Sequence, residues 1–387
     1  MSDVRVEQPR TYLGEGALRE FAALLDELGV QSIFLVADAV SFAASGAEEL
    51  MQPGLATRSV SVFEGFRPNP RLADVERGVA RYRSSPPPDL VVAVGGGSAI
   101  DMAKLVRWFA SHEGQAPEVL TSSRPTRNQL PVPPLMAIPT TAGTGSEATQ
   151  FAVVYYENRK HSVSHPTLVP EIAVVDSTLT SSQPPALTAA TGLDALCQAI
   201  ESIWSVRATA QSLEFASESL SLAMEHLQVA VKHPNSRARQ AMARAAHLSG
   251  QAINISLTTA CHALSYTLTS CFGVPHGIAV ALTLPSILEF NYGIGQVDCL
   301  DPRGPTAVRE RIDRIVSILE CPDVGTASER LRRLMADINC PIRLGQVGVR
   351  TSQDLRTLVE SVNLERLANN PRQLARHDIL CLLESIR

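Results

Sequence analysis

The chain has 387 residues, a formal net charge of −5, and a composition that is 45% hydrophobic and 19% charged. That length exceeds what a single growing core serves, so two domains are expected. Interspersed charges of both signs exclude a nucleic-acid or polyanion footprint. The start, MSDVRVEQPR, is polar and has no apolar core, and the seven cysteines show no CxxC spacing. Both features predict a cytoplasmic protein with reduced thiols rather than a secreted disulfide framework or a zinc ribbon.

In chain order, the first predicted strand is 32–37, ending at Asp38. An aspartate there either caps the next helix or accepts from a ribose 2′-hydroxyl, and the second role would repel a 2′-phosphate and favour NAD(H) over NADP(H). A second apolar strand, 90–94, lies between Pro86-Pro87-Pro88 and Gly95-Gly96-Gly97-Ser98, with Asp101 and Lys104 following. The pattern G-G-G-S-x-x-D-x-x-K is neither a Rossmann fingerprint nor a P-loop. It reads equally as a tight turn or as a phosphate cradle, in which Gly96, Gly97, Ser98 and Asp101 would meet a cofactor. A third strand, 135–138, stops at Pro139 and runs into Thr140-Thr141-Ala142-Gly143-Thr144-Gly145-Ser146-Glu147, and a fourth spans 172–175. Two small-residue loops at neighbouring strand ends are what a dinucleotide crevice needs. Continuous apolar strands flanked by helical segments predict a doubly wound, mainly parallel α/β sheet.

Past residue 180 the character changes. Gln183-Pro184-Pro185 punctuates the chain, and helices are predicted over 186–204, 210–231, 236–255, 257–270, 277–290 and several stretches beyond 305. The expected layout is an α/β dinucleotide-binding domain over 1–180 and an all-helical metal- and substrate-binding domain over 181–387, with the chemical residues of both facing a crevice between them. Asp194 and Gln198 lie one turn apart in the first helix. Residues 245–288 contain no Asp, Glu, Lys or Arg, yet they hold His262 and His276. Ser, Thr, Asn, Gln and a Gly-Val-Pro-His turn interrupt the run, which argues against a membrane span. Two imidazoles and a carboxylate suit Fe(II) or Zn(II) acting as a Lewis acid, whereas the bland alternative is hydrogen-bonded core histidines and a solvated Asp/Gln face.

These motifs together resemble the iron-containing, group III alcohol dehydrogenases, which share their architecture with dehydroquinate synthase. The resemblance spans nearly the whole chain. It rests on Phe63-Glu64-Gly65 with Asn69-Pro70, on Gly95–Ser98 with Asp101 and Lys104, and on Pro139 to Glu147. It continues through Thr191-Gly192-Leu193-Asp194-Ala195-Leu196, His262, His276-Gly277 and Leu284-Pro285. It implies NAD(P)-dependent interconversion of alcohols and aldehydes by a homodimer or larger assembly, with iron(II) ahead of zinc(II). It also implies cofactor contacts at Asp38, Asn69, Gly97, Ser98, Thr140, Thr141, Thr144 and Lys160, and metal ligands at Asp194, Gln198, His262 and His276.

Two positions depart from the family pattern: Gln198 and Tyr266 stand where its common members have histidines. Gln198 is a weaker, neutral donor, and Tyr266 could pass a proton to the nascent alkoxide beside His262. The segments around Gln198–Ser202 and Thr258–Tyr266 resemble the phosphonoacetaldehyde reductase branch, implying reduction to 2-hydroxyethylphosphonate, with Arg159, His161 and Arg207 as candidate phosphonate partners. The alternatives are a metal-free reductase of the maleylacetate type, a general short-chain alcohol dehydrogenase, and a nucleotide-binding regulator without turnover. A dehydroquinate synthase would need Lys and Arg clamps that the uncharged 245–288 segment lacks.

Overall fold

The structure, a computed structural model, describes residues 8–112, 120, 132–157, 159–362 and 364–387, the side chains of 159 and 364–366 excepted. The chain divides into two compact units, Met1–Gln183 and Pro184–Arg387.

In the first unit β1 (Arg10–Gly14) leads through α1 (Phe21–Glu27) to β2 (Ser32–Ala37). Helices α2 (Ala39–Ala44) and α3 (Ala47–Leu55), strand β3 (Ser59–Phe63), and helix α4 (Leu72–Arg83) follow. Next come β4 (Leu90–Gly95), α5 (Gly97–Ala110), β5 (Leu135–Pro139), the hairpin β6 (Phe151–Tyr156) and β7 (Arg159–Ser164), and β8 (Ile172–Asp176). Six strands form a parallel sheet in the order β1-β8-β5-β4-β2-β3. Alternation along each strand sends successive residues to opposite faces. Ile33, Leu35 and Ala37 pack with Phe21, Leu25 and Met51 of α1 and α3, while Phe34 and Val36 pack with Val75, Ile100 and Met102 of α4 and α5. Both faces are therefore covered, which is why the central strands read as unbroken apolar runs.

The connections from β2 and β4 leave in opposite directions, so the strand order reverses between these two neighbours. Ligands of open α/β sheets bind at the carboxyl ends beside such a reversal. Here those ends are Asp38 and the Gly95–Ser98 loop.

Strands β1, β3 and the β6–β7 hairpin escaped the sequence reading. The first two are half-exposed edge strands, RTYLG and SVSVF, and β7 is the polar segment RKHSVS, so none carries a continuous apolar signal.

The second unit comprises α6 (Pro185–Trp204), α7 (Ala210–Lys232), α8 (Ser236–Ser256), α9 (Ala260–Phe272), α10 (His276–Tyr292), α11 (Gly304–Ile318), α12 (Val324–Asp337), α13 (Ser352–Ser361) and α14 (Arg376–Ser385). Among its described residues there is no strand. Helix α9 starts three residues later than expected, because Leu257 adopts a left-handed φ of 59° and breaks the chain after α8. Helix α6 is buried along nearly its whole length, the behaviour of a central helix with apolar residues all round. Gly192 admits α7: a Cβ there would meet Leu227 Cδ1 at 2.2 Å. Among the described residues no helix is long and apolar enough to cross a membrane.

Candidate metal centre and nucleotide loops

At the carboxyl ends of β2, β4 and β5, two loops close on each other because their residues are small. Gly95, at φ 145°, leaves 3.2 Å between a would-be Cβ and Asp38 Cβ. A Cβ on Gly96 would stand 3.3 Å from Thr141 Oγ1, and one on Gly97 would stand 2.7 Å from Thr144 Oγ1. Asn69 takes a left-handed φ of 60°, and its N–H donates to Ser98 Oγ at 3.1 Å. The Thr140 N–H donates to Gly95 O at 3.0 Å, while its buried Oγ1 has no hydrogen-bond partner among the described residues. Helix α5 opens at Gly97 with no side chain capping it, so its first N–H groups are available to an anion. Asp38, Asn69, Gly96, Gly97, Ser98, Thr140, Thr141 and Thr144 thus gather around one spot. A buried orphan hydroxyl and uncapped N–H groups there fit a pyrophosphate.

Asp38 also caps α2, accepting from the Ser41 N–H at 2.9 Å. Asp101, expected at the cofactor, has both oxygens engaged within the unit: Oδ1 accepts from Ser146 Oγ at 2.6 Å and Oδ2 from the Val153 N–H at 3.0 Å. Burial raises its pKa, against the pull of Lys104 and of Lys160 on β7. Lys104 is fully buried, donating to Thr149 O at 2.7 Å and Phe151 O at 2.9 Å. Burial lowers its pKa to about 8, although Asp101 and Glu147 favour its charge. The Asp101–Lys104 pair therefore anchors the second loop and the hairpin behind it.

In the second unit Asp194 on α6, His262 on α9 and His276 on α10 each present a ligand atom, all within 4.8 Å of one another. His262 Nε2 lies 3.3 Å from Asp194 Oδ1, and His276 Nε2 lies 4.0 Å from it. Ligand atoms about 2.1 Å from a shared divalent ion stand roughly 3–3.5 Å apart, so the set fits one with little closure. Asp194 and His262 are buried, whereas the His276 side chain is 33% exposed, which leaves one side of the set open. The glycine after His276 makes the approach of α10 feasible. A Cβ on Gly277 would meet Ala190 O at 1.9 Å and Asp194 N at 2.9 Å.

Sequence reasoning overlooked Glu201. It is fully buried on the face of α6 that carries Asp194, and its Oε2 accepts from His262 Nδ1. Its Oε1 accepts from Thr259 Oγ1 at 2.6 Å, the Thr259 N–H at 3.1 Å and the Cys261 N–H at 2.9 Å, and so caps α9. The helix N-terminus stabilises the buried charge. The carboxylate holds the Nδ1 proton of His262, the usual support of a metal-binding histidine, whose Nε2 would turn its lone pair to a divalent ion. Burial opposes protonation of His262, but Glu201 and Asp194 outweigh it and bring the pKa to about 9. The signal was present: Asp194, Gln198 and Glu201 recur at i, i+4 and i+7 in an otherwise apolar helix.

Gln198 lies between these two carboxylates, with Ser249 Oγ of α8 at 2.8 Å from its Oε1. Tyr266 sits one turn past His262 on α9 and is half-buried. His247, a third histidine of the uncharged run, is buried on α8 and outside the cluster. Of the candidate phosphonate partners, His161 pairs with Val154 across the hairpin in the first unit, Arg207 is exposed in the second, and the Arg159 side chain is outside the described residues.

Comparison with known proteins covers both units. Residues 8–177 match the iron-containing alcohol dehydrogenase family model, and residues 188–387 match that of the C-terminal region of the same family. A long-chain-alcohol dehydrogenase of Geobacillus thermodenitrificans is 32% identical over 97% of this chain and 95% of its own. A phosphonoacetaldehyde reductase of Streptomyces viridochromogenes is 35% identical over 81% of this chain and 80% of its own. Among solved structures, the sulfoacetaldehyde reductase of Bifidobacterium kashiwanohense in complex with NAD+ superposes with a TM-score of 0.87 at 28% identity, covering 98% of this chain and 97% of that one.

Proposed function

The chain belongs to the iron-containing alcohol dehydrogenase family, and from that premise we propose that it reduces a small aldehyde bearing an anionic group, phosphonoacetaldehyde first. Membership makes it an NAD-dependent alcohol dehydrogenase acting between aldehydes and alcohols. The narrower substrate is supported by the 35% identity to a phosphonoacetaldehyde reductase and by the likeness to a sulfoacetaldehyde reductase. Both relatives act, by name, on a two-carbon aldehyde ending in an anion.

The observation that carries the chemistry is the gathering of Asp194, His262 and His276 within 4.8 Å, with Glu201 behind His262. When bound, a divalent ion, iron(II) ahead of zinc(II), supplies a Lewis acid for a carbonyl oxygen, and NADH supplies the hydride. Asp194, His262 and His276 would hold that ion, with Gln198 as a fourth oxygen donor. In the first unit the N–H groups opening at Gly97 and the hydroxyls of Ser98, Thr140, Thr141 and Thr144 bind the pyrophosphate. Asn69 and Lys160 complete the cofactor contacts. Asp38 accepts from the adenosine ribose and disfavours a 2′-phosphate, so NADH is preferred over NADPH. Tyr266 or water provides the proton that turns the alkoxide into the alcohol. The protein is taken to act as a cytoplasmic homodimer on a small molecule, without nucleic acid or membrane.

The test is consumption of NADH and NADPH by iron- and zinc-loaded protein with phosphonoacetaldehyde, sulfoacetaldehyde, propanal and a long-chain aldehyde. A kcat/KM for propanal or the long-chain aldehyde equal to that for phosphonoacetaldehyde overturns the substrate assignment. Full activity after metal removal would instead favour the metal-free type of reductase, to which Gln198 in place of a family histidine lends support.

A further inference from the structure

Leu257 has a φ of 59° and a ψ of 168°, a backbone region that glycine alone occupies freely. A leucine stays there only where its surroundings fix the chain from several sides, and such strained points gather at functional sites. This one lies between the end of α8 at Ser256 and the start of α9 at Ala260, the helix that carries His262.

The fixings come from Asn369, the last residue of a 3-10 helix, Leu364–Asn369. Its Nδ2 donates to Ser256 O and to Thr258 O, each at 2.9 Å, the carbonyls on either side of Leu257. Its Oδ1 accepts from the Arg207 N–H at 3.3 Å. A carbonyl can only accept and a peptide N–H can only donate, so the amide is oriented from both ends. The Val206 N–H donates to Asn369 O at 3.1 Å, and Ser205 Oγ lies 2.7 Å from Ser256 O and 3.0 Å from Asn369 Oδ1. The segment just past α6 is thereby joined through Asn369 to the end of α8 and the approach to α9.

The turn leads directly to the metal centre. Two residues past Leu257, the Thr259 N–H and Oγ1 reach Glu201 Oε1 at 3.1 and 2.6 Å, and the Cys261 N–H reaches it at 2.9 Å. The other oxygen of Glu201 accepts from His262 Nδ1. Relaxing Leu257 to an ordinary φ would redirect the chain after it and draw these donors off Glu201. We infer that Asn369 is a positioning residue for His262: by gripping the carbonyls of Ser256 and Thr258 it keeps Leu257 strained and so seats Glu201 against the imidazole. The inference rests on the metal reading above for what His262 does, and it deepens that reading.

The experiment has two readouts on the full chain. One is the downfield NMR signal of the His262 Nδ1 proton in metal-free protein, assigned by its loss in His262→Gln. The other is a titration with Co(II) alone, followed by visible absorption. Asn369→Ala is expected to shift or broaden the proton signal and to raise the Co(II) dissociation constant about tenfold, the lower end of what outer partners of metal ligands contribute. Leu257→Gly removes the strain, so in that background Asn369→Ala should leave the signal in place and change the constant by less than about twofold. Equal losses in the two backgrounds, or no loss in the wild-type background, overturn the inference. If Asn369→Ala does not fold, the double variant must fold and match Leu257→Gly, or the inference fails. If the unaltered protein takes up no Co(II), the metal reading fails, whereas the proton signal, read without metal, still decides for or against Asn369.

Discussion

The candidate nucleotide loops and the candidate metal centre place opposite demands on their residues. The loops present backbone N–H groups, so their chemistry depends on what is missing: side chains at Gly95, Gly96 and Gly97, where a Cβ would collide with Ala99 at 2.6 Å or crowd Thr141 and Thr144 at 3.3 and 2.7 Å. The metal centre depends on what is present, three side chains from three helices and a buried carboxylate behind one of them. The first site should tolerate polar changes and fail when bulk is added, and the second should do the reverse, except at Gly277.

The sharpest way to break that contrast is to delete a ligand. His262→Ala or Asp194→Ala should lower kcat/KM by on the order of a thousandfold, since Lewis-acid assistance contributes several kcal/mol. NADH affinity, measured by fluorescence titration, should stay near the wild-type value. Comparable loss of NADH binding would mean that the two sites are not separable.

Adding bulk is the complementary cut. Gly277→Ala must push α10 off the α6 backbone, because the new methyl would meet Ala190 O at 1.9 Å. Metal affinity should fall by about a hundredfold, the upper end for lost ligand placement, and the melting temperature should drop. Gly97→Ala should instead weaken NADH binding by about tenfold, the cost of about 1.4 kcal/mol of crowded phosphate contact, with metal content unchanged. Two glycine-to-alanine changes with crossed outcomes would sharpen the comparison more than either alone.

A smaller effect is expected from the residue behind the ligand. Glu201→Gln keeps the shape but removes the charge that fixes His262 and caps α9, and should reduce metal affinity about 10- to 100-fold. Stability should fall by about 1–3 kcal/mol, because the N–H groups of Thr259 and Cys261 lose a charged acceptor. Metal analysis and urea unfolding of the same preparation read the two parts separately.

These outcomes bear on how much a sequence reveals. The loops were legible because their residues are contiguous: Gly95 to Ser98 and Thr140 to Thr144 each follow an apolar strand, and proximity along the chain became proximity in space. The helices of the second unit were legible from periodicity, and the lack of charge over 245–288 marked the pair His262 and His276. Less legible was anything defined by a distant partner. Glu201 takes its meaning from His262, Asn369 from the turn at Leu257, and Gly277 from the carbonyl of Ala190. Edge strands β1 and β3 were hidden for a different reason: half-exposed, they need no continuous apolar run. Asp101 was expected at the cofactor from its spacing to the glycines, but its oxygens are engaged by Ser146 and Val153, and its neighbour Lys104 is buried against Thr149 and Phe151.

That burial has its own pH signature. The folded-state pKa of Lys104 is lowered to about 8 from 10.5, so between these values the unfolded chain holds a proton that the folded one has shed. Stability contributed by this group therefore rises as pH increases through that window, and the full cost of its burial is present below it. The rise across the whole window is on the order of 3 kcal/mol, since a tenfold change in proton affinity is worth about 1.4 kcal/mol. Urea midpoints from pH 7.5 to 10 for wild type and Lys104→Met would show it as a difference in slope, and parallel curves would refute it.

The gentlest test addresses Asp38, where the two regions' logics meet in one side chain. Its Oδ1 caps α2 at 2.9 Å from the Ser41 N–H, a purely structural task, while its place beside Gly95 at the strand reversal suits a ribose contact. Asp38→Asn would separate the tasks, because asparagine caps a helix as well as aspartate does. The melting temperature of this variant should therefore stay within a degree or so of the wild-type value. The change removes the charge that repels a 2′-phosphate, and the ratio of kcat/KM for NADPH over NADH should rise about tenfold, an electrostatic effect of about 1.4 kcal/mol. A ratio that does not move would make Asp38 a helix cap only, and would shift the choice of cofactor to residues of the loop after β5.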